Sequence, residues 1–285
     1  MSVLETIPSS NPLSSYFRQP KIFIRLPSHG EFYPAGSLDV SETGEYPVYA
    51  MTAKDELMFK TPDALMNGQA TVEIIKSCVP AIVNPWAMPT IDIDALLIAI
   101  RIATYGQEME LTAKCPACES INDYMFDLVN YLNHLNSFTF EGTIAVDPLV
   151  IHIRPYNYRE TTKRSLQALE QQKIMAVVND ENMSDDDKMS RFSDSFIKLT
   201  EMTVDIIAGC ISAIDTPDGT VTDSEQIKDY IANSSSEVFN KVSKHVNDMR
   251  NEIEMKPQQV TCTECNHEFG VTLNMDQSNF FAVRS

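Results

Sequence analysis

The chain has 285 residues, 43% of them hydrophobic, and a formal net charge of −18 with a pI near 4.6. That length supports a sizeable core in one large domain or two ordinary ones. So much negative charge repels phosphate backbones and anionic lipid, which argues against nucleic acid as a partner. Membrane insertion is disfavoured because no stretch reaches the roughly 18 uninterrupted apolar residues of a span.

Residues 1–20 are rich in Ser, Pro and Asn and read as an extended arm, with no basic start or apolar run of a secretory signal. Ile22 to Leu26 is a short strand stopped by Pro27. His29-Gly30-Glu31-Phe32-Tyr33-Pro34 is turn-like, and Tyr46 to Met51 is a second strand. Lys54 to Phe59 begins a helix with Thr52 as its N-cap and Asp55 and Glu56 in the first turn. Thr61-Pro62 opens a short helix, and Thr71 to Cys78 is another, ended before Pro80. Ile93 to Tyr105 is apolar nearly all round and predicts a buried central helix, capped by Asp92 and ended by Gly106. Glu108–Lys114 and Ile121–Leu128 are strands, and Thr143 to Arg154 holds a hairpin. From Asn157 to Met255 the pattern predicts helices, with a turn at Thr216-Pro217-Asp218-Gly219. The first starts at Asn157 or Thr161 and runs to about Val178, and a second is capped by Ser184. Phe192, Phe196, Leu199, Thr203, Ile206, Cys210 and Ile214 form one stripe. Further helices start at Asp223 and Ser236, the last burying Val238, Val242, Val246, Met249 and Ile253.

Two Cys-x-x-Cys pairs, Cys115-Pro-Ala-Cys118 and Cys262-Thr-Glu-Cys265, each sit between strand-like runs. A thiolate pair at this spacing supplies half of a tetrahedral zinc site, and two halves make a closed four-cysteine site. Cys115, Cys118, Cys262 and Cys265 are therefore the expected ligands of a structural Zn2+. Four thiolates alone do not distinguish zinc from an iron–sulfur cluster. A redox dithiol is disfavoured because neither pair opens a helix after a thioredoxin-like strand. His267 is a candidate replacement ligand, with solvent exposure the plainer expectation. The reducing cytoplasm expected for this chain favours metal over disulfide. Cys78 and Cys210 lie in apolar runs and read as buried thiols. A four-thiolate site has no open position for an activated water, so the metal is expected to supply folding energy, with no part in chemistry.

No phosphate-binding glycine loop, G-x-S-x-G or H-E-x-x-H occurs, and the histidines at 29, 134, 152, 245 and 267 are scattered. Asp92 and Asp94 look like paired carboxylates but open a helix, where capping is the expected role. No catalytic residue, small-molecule substrate or organic cofactor is expected.

The runs Leu26-Pro27-Ser28 to Phe32-Tyr33, Val48 to Leu57, Thr61 to Gly68, Ile75 to Pro80, Asp92 to Leu97 and Ala99 to Gly106, together with Cys115-Pro-Ala-Cys118, resemble the T4-type bacteriophage baseplate protein family. The likeness is dense over residues 22–128 and thinner beyond. It implies a tail protein of a contractile-tailed phage, assembled in the host cytoplasm and placed in the virion baseplate or hub. Its partners would be other baseplate, hub and tail proteins. A transient assembly chaperone and a zinc-ribbon regulator of host machinery are the alternatives.

The expected fold class is α+β: small N-terminal strands and helices, and a split zinc ribbon with a large, mostly helical insertion. The expected organisation is the arm over 1–20, an α/β core with the first knuckle over 21–128, a hairpin plus helical insertion over 129–256, and the second knuckle and tail over 257–285. The tail carries Asn279-Phe280-Phe281-Ala282-Val283, which packs either on the chain itself or on a partner.

Overall fold

In the computed structural model, residues 17–59, 68–137, 140, 142–165, 184–253, 256–273 and 280–281 are described. Helices and small antiparallel sheets are mixed. β1 (Pro20–Arg25) pairs with β2 (Glu45–Tyr49), followed by α1 (Ala53–Phe59) and α2 (Gln69–Cys78). After a 3-10 turn at Pro85–Ala87 comes α3 (Thr90–Tyr105), then the hairpin β3 (Glu108–Lys114) and β4 (Ile121–Asp127), then α4 (Leu128–Asn136). The next unit is a four-stranded sheet of β5 (Thr143–Val146), β6 (Leu149–Ile153), β7 (Ile211–Thr216) and β8 (Gly219–Val221), in sequential order. α5 (Asp185–Gly209) leads into β7, and α6 (Ser224–Asn233) and α7 (Ser236–Ile253) follow β8. The hairpin β9 (Gln258–Thr261) and β10 (Glu268–Val271) closes the order.

Two apolar clusters hold these elements. The first surrounds α3, whose Ile93, Leu96, Leu97, Ile98 and Ile100 are buried against β1, β2, α2, β3, β4 and α4. A helix buried on every face must be wrapped by its neighbours, as the all-round apolar run predicts. It ends at Gly106, whose φ of 98° lies where side chains are disfavoured. The second cluster joins the inner face of the four-stranded sheet (Ile144, Ile151, Ile153, Ile214) to Ile206, Ile227, Ile231, Val242, Val246 and Met249. The two clusters meet along a seam. Thr90 N donates to Tyr156 O at 2.8 Å, Tyr158 N to Met88 O at 3.0 Å, and the Trp86 and Tyr158 rings stack at 5.4 Å.

Several sequence expectations hold at the level of single elements. Thr52 and Asp55 form a reciprocal cap, with Thr52 N donating to Asp55 Oδ2 at 2.8 Å and Asp55 N to Thr52 Oγ1 at 3.3 Å. Asp223 caps α6 through Gln226 N. Val242, Val246 and Met249 of α7 face the core, and Cys78 and Cys210 are buried free thiols. The short helix expected at Thr61 and most of the one expected after Asn157 fall outside the described residues.

Three expectations are corrected. The block 157–255 is not wholly helical, because β7 and β8 interrupt it. Ile211, Ala213, Ile214 and Asp215 pair with β6, and the turn Thr216-Pro217-Asp218-Gly219 closes a hairpin. Pairing with a strand far back in the chain decides this segment against its helical spacing. The stripe from Phe192 to Ile214 breaks for that reason. It breaks at its other end too, since Phe196 is 60% exposed and burial begins only at Ile206. Asp92 does not cap α3. The helix begins at Thr90, and Asp92 lies in its first turn, fully buried. Its carboxylate accepts from Ser28 N at 2.8 Å, Ser28 Oγ at 2.5 Å and Tyr33 Oη at 2.9 Å, clamping the 28–33 loop onto the core. That loop carries His29 and Phe32 at φ of 54° and 67°. Left-handed backbone at such residues persists only where surrounding contacts hold it.

Of the tail, Phe280 and Phe281 are described, and they pack on the chain itself. Phe280 is 0% exposed and Phe281 is buried beside it, their rings edge-to-face at 5.0 Å. Arg101 Nη1 donates to Phe280 O at 2.7 Å, and its guanidinium lies over the Phe280 ring.

Candidate metal centre

The hairpin β3–β4 carries Cys115 and Cys118 in its turn, and β9–β10 carries Cys262 and Cys265 in its own. The two turns share one backbone plan. In the first, Cys115 N donates to Ser120 O at 2.9 Å and Glu119 N to Cys115 O at 3.0 Å. In the second, Cys262 N donates to His267 O at 2.9 Å and Asn266 N to Cys262 O at 3.0 Å. The residue after each second cysteine is left-handed, Glu119 at φ 62° and Asn266 at φ 56°. Asn accepts that conformation readily, and Glu119 is held there with a salt bridge to Lys114 at 3.2 Å. Across the turns, Tyr124 and Phe269 meet edge-to-face at 6.0 Å.

All four sulfurs lie within 4.8 Å of one another. Cys115 Sγ is 3.7 Å from Cys265 Sγ, and Cys118 Sγ is 3.7 Å from Cys262 Sγ. That is too long for a disulfide bond of about 2.05 Å. It matches the edge, about 3.8 Å, of a tetrahedron of Zn–S bonds of about 2.3 Å. The donor set therefore fits a tetrahedral metal ion. Cys115 and Cys262 are buried, while Cys118 and Cys265 are exposed. Among the described residues, these four alone make a group of three or more metal-ligating side chains. His267 is not part of it; its ring is exposed and stacks on Phe269.

A polar set around the sulfurs was not foreseen from spacing. Ser120 Oγ lies 3.0 Å from Cys118 Sγ and 3.2 Å from Cys262 Sγ, so one hydroxyl touches both hairpins. Asn122 Nδ2 donates to Ser120 Oγ at 3.1 Å and to Cys262 Sγ at 3.5 Å, and Thr263 Oγ1 donates to Asn122 Oδ1. The only signal for them is position: Ser120 stands where His267 stands in the second turn. Ser120, followed by backbone amides of the second turn, holds the Cys262 thiol down to about 5, and Ser120 lowers Cys118 as well. Cys265 is pushed up to about 12: the His267 amide pulls it down, but the sulfurs of Cys118, Cys115 and Cys262 and desolvation outweigh that. Four thiolates do not coexist without a cation between them.

The other sequence candidates do not converge. Asp94 is half-buried one turn into α3, pushed up to about 6 by desolvation, while Asp92 binds Ser28 and Tyr33. His152 Nε2 lies 2.6 Å from Asp215 Oδ2, a pairing across β6 and β7 that spacing did not reveal. Hydrogen bonds from Thr220 and His152 hold Asp215 below the ordinary carboxylate range.

A family profile described as T4 bacteriophage base plate protein matches residues 37–282, most of the chain. The chain belongs to this family. The match runs through both cysteine turns and both apolar clusters, well past the segment that carries the sequence resemblance. No match was found among curated proteins or solved structures. Membership implies a structural role in the phage tail baseplate and contact with other tail or baseplate proteins. Among the described residues, no helix is long and apolar enough to cross a membrane.

Proposed function

We propose that this protein is a non-enzymatic structural or assembly component of the contractile-tail baseplate or its hub, acting through protein–protein contacts and clamped by one structural zinc ion. The observation that carries the zinc reading is the convergence of four sulfurs from two hairpins at tetrahedral spacing. Cys115, Cys118, Cys262 and Cys265 would be the ligands, with Ser120 and Asn122 orienting them. A closed four-thiolate set leaves no position for a substrate or an activated water, which supports a scaffold role and none in catalysis.

On this reading the two hairpins are one zinc ribbon, split by the insertion of residues 129–256. The apolar clusters divide close to this boundary, with α4 and Tyr158 of the insertion packed on the first. The 21–128 core, α4, Tyr158 and the C-terminal knuckle share the cluster around α3, and the four-stranded sheet with α5, α6 and α7 holds the other. Mass spectrometry of purified virions tests the placement. Presence in the particle supports a permanent component of the baseplate, whereas absence from particles but presence in isolated assembly intermediates identifies a transient chaperone, assembled in the host cytoplasm. Metal analysis of the purified chain tests the clamp. One zinc per chain is expected. Iron, or well under one metal per chain, would overturn it.

A further inference from the structure

We propose that the outer face of the β3–β4 hairpin is the docking surface for a basic segment of another baseplate protein. This inference rests on the baseplate reading above and adds the surface and the chemistry of the partner.

Strand periodicity divides this hairpin into two faces. Met109, Asn122 and Phe126 point inward and are buried. The opposite face is made of four register pairs: Glu108 with Asp127, Glu110 with Met125, Thr112 with Asp123, and Lys114 with Ile121. All eight residues are exposed. Ile121 is 71% and Met125 63% exposed, so two large apolar side chains stand in solvent on a rigid ribbon.

The charges on this face are arranged against the isolated chain. Glu108 and Asp127 are directly opposite, and like charges at such a position destabilise a sheet. Glu110 stands next to Met125, and Asp123 accepts from the Thr112 hydroxyl at 2.5 Å. The one cation, Lys114, is held by Glu119 in the turn. The β1–β2 ribbon shows the contrast: its charged cross-strand pair is opposite in sign, and Arg25 meets Glu45 at 3.5 Å. A row of carboxylates around two bare apolar anchors is complementary to Lys or Arg around apolar side chains. Residues four apart on a strand are about 13 Å apart, with Asp123 between. The partner segment therefore carries two apolar side chains at about that spacing, with a cation between them and others beside them.

The test replaces Met125 with the photo-cross-linker p-benzoylphenylalanine in the full chain, supplied during infection by a phage lacking its own copy. After irradiation, adducts are identified by mass spectrometry. The expected result is an adduct with another tail or baseplate protein, within a segment bearing Lys or Arg beside apolar residues. No adduct, an adduct with a second copy of this chain, with nucleic acid or with lipid, or one in an acidic segment overturns the proposal. A second arm uses the double variant Ile121→Asp, Met125→Asp, with zinc content and thermal unfolding measured first. Unchanged folding with loss of the adduct partner from complexes is expected; a folded variant that still incorporates normally overturns the proposal. Particles that contain the chain but give no adduct at position 125 defeat only the docking surface. A chain absent from particles and from assembly intermediates defeats the baseplate reading beneath it.

Discussion

Ser120 stands between two sulfurs that belong to different hairpins, and Asn122 holds it there. Groups of this kind fix the orientation of metal ligands and tune their basicity. Ser120→Ala is therefore expected to weaken zinc binding by about 10–100-fold while leaving the stoichiometry at one, measured by competition with a chromogenic chelator. Cys265→Ser removes a ligand itself and is expected to exceed that loss and to lower the melting temperature; unchanged melting would exclude a folding role for the metal. Asp92 gives a second residue-scale outcome. Burial raises its carboxyl from the ordinary 3.8 to about 6, with Ser28 and Tyr33 pulling the other way. A raised carboxyl favours the folded state when protonated, so its contribution is fully present below about pH 4 and is lost as pH rises through about 6. A difference of that size is worth on the order of 3 kcal/mol. The stability deficit of Asp92→Asn relative to wild type is therefore expected to be largest near pH 4 and to shrink toward pH 7. Denaturant unfolding at both values checks this, and a deficit that grows with pH would contradict it.

At the scale of elements, two terminal segments are tied to the core by arginines. Arg18 reaches from the arm to Ser77 Oγ at 2.8 Å, to Ser77 O and to Asp55 Oδ2 at 3.6 Å, and lies over the Tyr49 ring. Asp55 is buried, so removing the cation leaves a carboxylate with only the Thr52 and Ser77 hydroxyls and the Thr52 amide. Arg18→Ala is expected to cost about 2 kcal/mol in equilibrium unfolding, with Arg18→Lys restoring only part, because one ammonium does not span the same acceptors. At the other end, Phe280 fills a closed site against Arg101 and Phe281. Phe280→Ala is expected to cost about 3–5 kcal/mol, the range for emptying a buried aromatic position. These elements also show how far patterning reaches. The all-round apolar run of α3, the caps of α1 and α6 and the inward stripe of α7 were legible because each is a local, helix-period signal. β7 was not. Its apolar residues also fit the stripe that continues α5, and only pairing with β6 makes it a strand.

Across the whole molecule, the four-cysteine cluster and the second apolar cluster lie on separate sets of elements. The four cysteines join β3–β4 to β9–β10, whereas the four-stranded sheet packs on α5, α6 and α7 with no cysteine ligand among them. Zinc removal by a chelator is therefore expected to raise amide hydrogen exchange first in residues 108–127 and 258–273, and later in residues 144–153 and 206–214. Simultaneous loss of protection in both regions would show that one cooperative unit spans them.

The sequence by itself determined which four cysteines the fold brings together and the burial of α3. Cys-x-x-Cys spacing and helical periodicity are local properties, and they survive without knowledge of distant neighbours. It also carried the family, through motifs upstream of the first cysteine pair. The tertiary structure alone decided the rest. Bringing Ser120 and Asn122 against Cys262, turning Asp92 from a cap into the anchor of the 28–33 loop, and pairing β6 with β7 all join residues far apart in the chain. Such contacts depend on the closure of long loops, whose entropy grows only slowly with length, so no local pattern marks where they form.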